Sequence, residues 1–283
     1  MMELWYEIVG LLPFEWARPD SMYFMKNALL AILVISPLFG LLSTMVVESR
    51  MSFFSDALGH SAFTGIAIGA LCGLADPMWC AVVFAVAFAF LFSYVRRHTH
   101  LASDTVIGVF SSTAVALGIF IATLGGSSFT KFNALLIGDI LSVEPGKIAL
   151  LAAILVVVAV LWVCSFNQLM LSSVHPALAD SRGIRVFWQE TIFSAAIAVV
   201  VTVSMTWVGL LVINSLLVLP AAASRNLARN LRQYHLFSVL GALAAGVAGL
   251  VTSYYVESST GACITLYLAL FFAVTFCFRE KRL

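Results

Sequence analysis

Val83-Phe84-Ala85-Val86-Ala87-Phe88-Ala89-Phe90 runs for eight residues without one polar side chain. A strand of a membrane barrel alternates polar and apolar positions over about 10 residues. This run does not alternate, so it reads as helix. It lies inside a charge-free stretch, 77–95. The chain holds seven more such stretches: 27–47, 57–75, 105–130, 148–179, 191–224, 233–256 and 258–278. Each is at least 19 residues long, enough for one helix to cross a hydrocarbon core about 30 Å thick. The 34-residue stretch 191–224 has room for two short passes and is interrupted by Gly209 and Pro220.

Composition agrees. Of 283 residues, 62% are hydrophobic and 10% charged, and the mean hydropathy is +1.04; a typical soluble domain is about 25% charged. A soluble fold of this size leaves too much surface wet to hide so many apolar side chains. A soluble enzyme, a secreted disulfide scaffold and a nucleic-acid binder are therefore excluded. The expectation is an all-α polytopic membrane protein with about nine (eight to nine) transmembrane helices, forming one transmembrane domain over 1–283. No Gly-rich phosphate loop is present. Residues 1–23 do not read as a signal peptide, because charges are scattered through them and no cleavage-like site follows an apolar run. The first span then serves as insertion signal. The five cysteines form no C-x-x-C pair and sit in or beside apolar stretches, which reads as buried small hydrophobes.

The net charge of +1 says nothing about partners, but the placement of charge does. Lys and Arg mark the cytoplasmic side of a membrane protein. Arg50; Arg96 and Arg97; Arg182 and Arg185; Arg225, Arg229 and Arg232; and Arg279, Lys281 and Arg282 make up 11 of the 15 basic residues. With all of them inside, 27–47 enters, 57–75 exits, 77–95 returns and 105–125 exits. Residues 148–165 must end inside, so 126–147 must stay on the outer side as an outer-face or re-entrant helix. The rest reads 191–206 out, 208–224 in, 234–256 out and 261–278 in. The sum is nine crossings, N-terminus outside and C-terminus inside. An eight-span count, treating 191–224 differently, is the rival.

Four places carry chemistry. In Met51 to Gly73, Asp56 and His60 are four apart and share a helix face. Thr64 continues that face. Gly65, Gly69 and Gly73 form a smooth opposite side that lets another helix approach closely. A carboxylate and an imidazole one turn apart make a half-site for a divalent cation, weak and open as a transporter that must release its cargo requires. The competing reading is that Asp56 caps the helix start and His60 is a satisfied interior histidine. In Asn167 to Gln189, Pro176 can open and Gly183 can close a short helix over 176–182. It is either a grip for a cytoplasmic protein or an ordinary loop. In Val208 to Arg225, Asn214, Ser215 and Pro220 interrupt an apolar run. Such breaks line cavities, or the helix is merely kinked. Lys131 to Lys147 forms the outer mouth or only a connection. His98, His100, His175 and His235 have no partner at ligand spacing; His98 and His100 read as interfacial, His175 and His235 as loop-edge residues.

Together these segments resemble the zinc/manganese group of ABC importer permeases, and the resemblance covers residues 27 to 278. Arg50-Met51-Ser52-Phe53-Phe54-Ser55-Asp56-Ala57-Leu58-Gly59-His60-Ser61 is similar to the family's R-M-(x)3-G-D-A-L-(S/A)-H-(A/S) run, with Ser55 in place of the usual Gly and Gly59 in place of Ser or Ala. Leu216 to Arg225, LLVLPAAASR, is similar to the family's L-L-(I/V)-x-P-A-A-x-A-R. Pro176 to Gly183 resembles its coupling segment. The resemblance implies a fold similar to type II ABC importer permeases. It also implies a homodimer with a second copy of the chain, two cytoplasmic ATP-binding subunits and a periplasmic or lipid-anchored metal-binding protein. Asp56 and His60 match the positions that contact the ion. Pro176, Ala177, Leu178, Ala179, Asp180, Arg182 and Gly183 match the part that inserts into the ATPase. The resemblance further implies that this chain binds no cofactor, with ATP on the partner subunit and the divalent metal as cargo. Ala134-Leu135-Leu136-Ile137-Gly138-Asp139-Ile140-Leu141 resembles the zinc branch, so zinc is the expected cargo, with manganese or ferrous iron as alternatives. From the residues alone, an ion-coupled secondary transporter with Asp56 and His60 as a proton relay and an intramembrane enzyme with His60 as base or metal ligand also stand.

Overall fold

Apolar runs broken by short polar ones should give helices joined by turns, and they do. The computed structural model describes residues 2–18, 22–74, 76–124 and 140–279, and contains no strand among them. A short α1 (Met2–Gly10) and a 3-10 turn at Glu15–Ala17 precede α2 (Tyr23–Glu48), α3 (Phe54–Leu71), α4 (Pro77–His98) and α5 (Ser103–Leu124). A second 3-10 turn, Ile140–Ser142, leads into α6 (Pro145–Val174) and the short α7 (Pro176–Ser181). Then come α8 (Val186–Val208), α9 (Leu210–Leu227), α10 (Leu231–Val256) and α11 (Thr260–Arg279). Local chemistry sets several starts. The Asp76 carboxylate accepts from the Met78 amide at 3.0 Å and Pro77 follows it. The Asn230 side chain accepts from the Gln233 amide at 2.9 Å. Both satisfy amide groups that a helix leaves free at its first turn.

Eight of these helices are long and apolar enough to cross a membrane: α2, α4, α5, α6, α8, α9, α10 and α11. α3, at 18 residues, is the ninth helix of spanning length. Its Ser55, Asp56, His60, Ser61 and Thr64 make it more polar than the others. It tolerates them because protein surrounds it: most of its residues are buried, against α4, α5, α8 and α9. The difference between eight and nine therefore lies at α3 and not at 191–224. That stretch divides cleanly, with Gly209 alone between α8 and α9 at φ 91, ψ 146. Only glycine adopts this backbone without strain.

The chain reverses at Gly209. Arg225, near the end of α9, lies 3.6 Å from Glu48 at the end of α2. Glu48 shares a cavity of about 250 Å³ with Glu190, early in α8. Arg50, Arg96, Ser103 and Ser172 line the same cavity, and Arg96 donates to the Ser49 carbonyl at 3.1 Å. The ends of α2, α4 and α6 and the starts of α5 and α8 thus gather at one end of the bundle. Arg50, Arg96 and Arg225 are grouped there, as placing basic clusters on the cytoplasmic side requires. The opposite end holds Lys147 at the start of α6, its ammonium 5.9 Å from the ring centre of Trp207 near the end of α8. The outer or re-entrant helix read over 126–147, with Ala134–Ile137 and Gly138-Asp139, falls mainly on 125–139, outside the described residues.

α2 and α8 are the centre of the bundle, each with 67% of its apolar window buried, against 17% for α6 and 22% for α11. Val156, Val157, Val160 and Val163 of α6 and Leu266 and Leu270 of α11 point outward. An apolar face of that extent is at rest in lipid, not in water. Inside, small and hydroxyl residues bring helices together. The Ser43 and Ser238 hydroxyls meet at 2.8 Å, and both donate to the Gly40 carbonyl, tying α2 to α10. Gly65 and Gly69 lie against Ala81 and Pro77 of α4, so the smooth face of α3 packs as its spacing predicts. Gly73 does not join it: at φ 69, with open space around it, it ends the helix. The cysteine reading holds for Cys263 only. Cys72, Cys164 and Cys277 are exposed and Cys80 is intermediate, because sulfur is apolar enough to face outward where the surroundings are apolar.

Candidate metal site

α3 begins at Phe54, and its cap position, Phe53, makes no side-chain cap bond. Asp56 is the third residue of the helix and does not cap it, so the cap reading is corrected. The Asp56 carboxylate is occupied sideways instead. Its Oδ2 lies 3.6 Å from Nε2 of His60, one turn on, and its Oδ1 accepts from Nδ2 of Asn214 on α9 at 3.1 Å. The two α3 side chains are 47% and 30% exposed respectively, so His60 is not an enclosed interior histidine. Both are partly exposed at the surface of the single chain, and a divalent ion could replace the long Asp56–His60 contact by bonds to both.

Asn214 reaches the site because of two glycines. Gly209 turns the chain so that α9 starts close to α3. Gly59 has no side chain where the Leu210 side chain comes in, and a Cβ there would clash with it. The first and third polar segments of the sequence therefore form one site, and Asn214 was legible only as a break in an apolar run. Thr64 goes elsewhere. Although it shares the face of Asp56 and His60, its hydroxyl donates to the Ala114 carbonyl of α5 at 2.6 Å and is buried. Among the described residues, no three His, Cys, Asp or Glu side chains come together. Asp56 and His60 stand as a carboxylate and an imidazole one helical turn apart, joined at Asp56 by the Asn214 amide.

The second polar segment forms α7, Pro176 to Ser181, followed by Arg182 and by Gly183 at φ 77. The Ile184 amide donates to Ala179 and the Gly183 amide to Asp180, both at 3.0 Å. This is the turn with which glycine closes a helix; the helix read over 176–182 forms and ends one residue earlier, at Ser181. Ala179 is buried, holding α7 to the bundle, while Ala177, Leu178, Asp180, Arg182 and Gly183 are exposed. A cleft of about 520 Å³ beside it is lined by Tyr94, Arg97, His98, Asp180, Arg185 and Trp188. Nδ1 of His98 lies 2.8 Å from the Tyr94 carbonyl. His235 lies within α10 and not at a loop edge, its ring against Trp162 and Phe166.

Membrane-length helices, four of them packed on one polar helix, with a short helix exposed at the basic end, are the architecture of a membrane permease. The model of the ABC 3 transport family matches residues 21–279, and the chain belongs to that family. It is a multi-pass protein of the inner membrane. The manganese import system permease protein ScaB of Streptococcus parasanguinis is 30% identical over 264 residues, 93% of either chain. The high-affinity zinc uptake system membrane protein ZnuB of Haemophilus influenzae is 26% identical over 254 residues, 90% of this chain and 97% of that one. Among solved structures, PsaBC from Streptococcus pneumoniae in complex with Fab superposes with a TM-score of 0.77 at 27% identity, over 98% of this chain and 95% of that one.

Proposed function

We propose that this chain is the membrane subunit of an ATP-driven importer and passes a divalent transition-metal cation, zinc or manganese, towards the cytoplasm. The observation that carries the reading is the Asp56–His60 pair, half-exposed on the one polar helix of spanning length and facing α9. An ionisable pair is costly in a membrane and is retained where a charged solute passes. The carboxylate neutralises part of the ion's charge, the imidazole supplies a nitrogen ligand, and the low ligand number permits release. ATP is hydrolysed by a separate subunit. The working assembly is two copies of this chain, two ATP-binding subunits and a metal-binding protein on the outer side. Pro176 to Gly183 is the element that engages the ATPase, with Leu178, Asp180 and Arg182 at its exposed surface.

Zinc is favoured by the sequence of residues 134–141, manganese by the higher identity to ScaB than to ZnuB. A carboxylate and an imidazole accept either ion. The site is tested by Asp56→Ala and His60→Ala in the assembled transporter. Each should abolish metal uptake while the protein still reaches the membrane and still co-purifies with its ATPase. Near-normal uptake by either variant removes that residue from the path.

A further inference from the structure

Among the described residues, Asn214 is the one polar side chain that joins the Asp56–His60 pair from another helix, and only half of its carboxamide is used. Nδ2 donates to Asp56 at 3.1 Å. Oδ1, on the other side, is shielded from solvent and has no hydrogen-bond partner. Most covered amide oxygens have one, and lacking it is costly. Turning the amide over would place an equally unpartnered NH₂ in the covered position. The covered side therefore holds the amide in neither orientation, and the choice is made entirely at Asp56. A bare carboxylate selects the N–H. A cation resting on that carboxylate repels the N–H and selects the oxygen, which is a good ligand for divalent metals.

We propose that Asn214 is the third ligand of the transported cation, its carboxamide turning from an N–H donor to Asp56 when the site is empty to an oxygen donor when the cation is bound. The proposal rests on the reading of Asp56 and His60 as cargo ligands and extends it to α9. The loaded site then bridges two helices, with a carboxylate oxygen and an imidazole nitrogen from α3 and an amide oxygen from α9. Three ligands from two helices explain why α9 is turned at Gly209 and seated on Gly59. Cargo occupancy also becomes a contact between α3 and the helix whose far end carries Arg225, paired with Glu48 at 3.6 Å beside the inner cavity.

The test uses the complete transporter purified with its ATPase subunits, without ATP, and manganese(II) as the probe. Binding is titrated by electron paramagnetic resonance on protein carrying asparagine labelled with ¹³C at the side-chain carbonyl carbon. The wild type should show a ¹³C hyperfine coupling to bound manganese. Asn214→Leu, similar in size with no donor atom, should lose that coupling and weaken binding by about tenfold or more. Asn214→Asp, which keeps an oxygen, guards against a variant that merely misfolds and should bind at least as tightly as wild type. No coupling in the wild type, or unchanged affinity in Asn214→Leu, overturns the role of Asn214. Manganese bound equally by wild type, Asp56→Ala and His60→Ala would instead remove the underlying site.

Discussion

A Cβ at Gly65 would stand 2.5 Å from Cα of Ala81. The obstacle is backbone and cannot swing aside, so α3 and α4 would have to separate. Overpacking of this kind costs about 1–3 kcal/mol. Gly65→Leu should therefore lower the thermal unfolding midpoint of the detergent-purified protein by several degrees. Gly108→Ala, inside α5 with open space around it, should leave it no lower and raise it slightly, because alanine is the better helix former by about 1 kcal/mol. Equal midpoints for the two variants would mean that the helices are not packed as described. At this scale the sequence was legible as far as helical periodicity reaches. Spacing of four paired Asp56 with His60 and set the glycines on the opposite face. Periodicity does not say which neighbour a side chain will meet. Thr64 has the right spacing for the site, yet a carbonyl of α5 takes its hydroxyl. Asn214 is 158 positions from Asp56, and no local pattern links them.

Among the elements, α7 and α3 were both legible in the sequence, for different reasons. Pro176 and Gly183 punctuate the chain so strongly that the limits of α7 follow from sequence. Gly183 at φ 77 occupies a conformation that costs an L residue about 1–2 kcal/mol. Gly183→Val should loosen the turn, and Arg182→Glu should reverse the charge next to it. Each should weaken co-purification of the ATPase subunit and lower metal-stimulated ATP turnover. If both remain at wild-type levels, 176–183 is not the coupling element. α3 reads as the span 57–75 and forms at Phe54–Leu71, although its hydropathy is low, because hydropathy measures a helix against lipid. Most of α3 is measured against protein, where serine, threonine and glycine let other helices come close.

For the whole molecule, the expected topology is read from the basic residues. Charge placement is a global constraint, imposed by the membrane and independent of which helices touch. Arg50, Arg96 and Arg225 do gather at one end, although 175 positions separate the first from the last. What sequence could not supply is the order of burial. α6 is the most apolar of the eight spans and also the least buried, with a mean hydropathy of 3.0 in its best window and 17% of it covered. α2 is the next most apolar span and is 67% covered, so hydropathy alone does not rank the helices by burial.

The central claim is that a divalent metal crosses through this chain under the drive of a separate ATPase. It is tested most directly by metal uptake in cells lacking their own zinc and manganese importers. The chain is expressed alone, and again with its ATPase and its metal-binding protein. The account predicts uptake of zinc or manganese only when all partners are present, and none by the chain alone. Uptake by the chain alone, abolished by an uncoupler, would contradict it and make Asp56 and His60 carriers of protons in a secondary transporter.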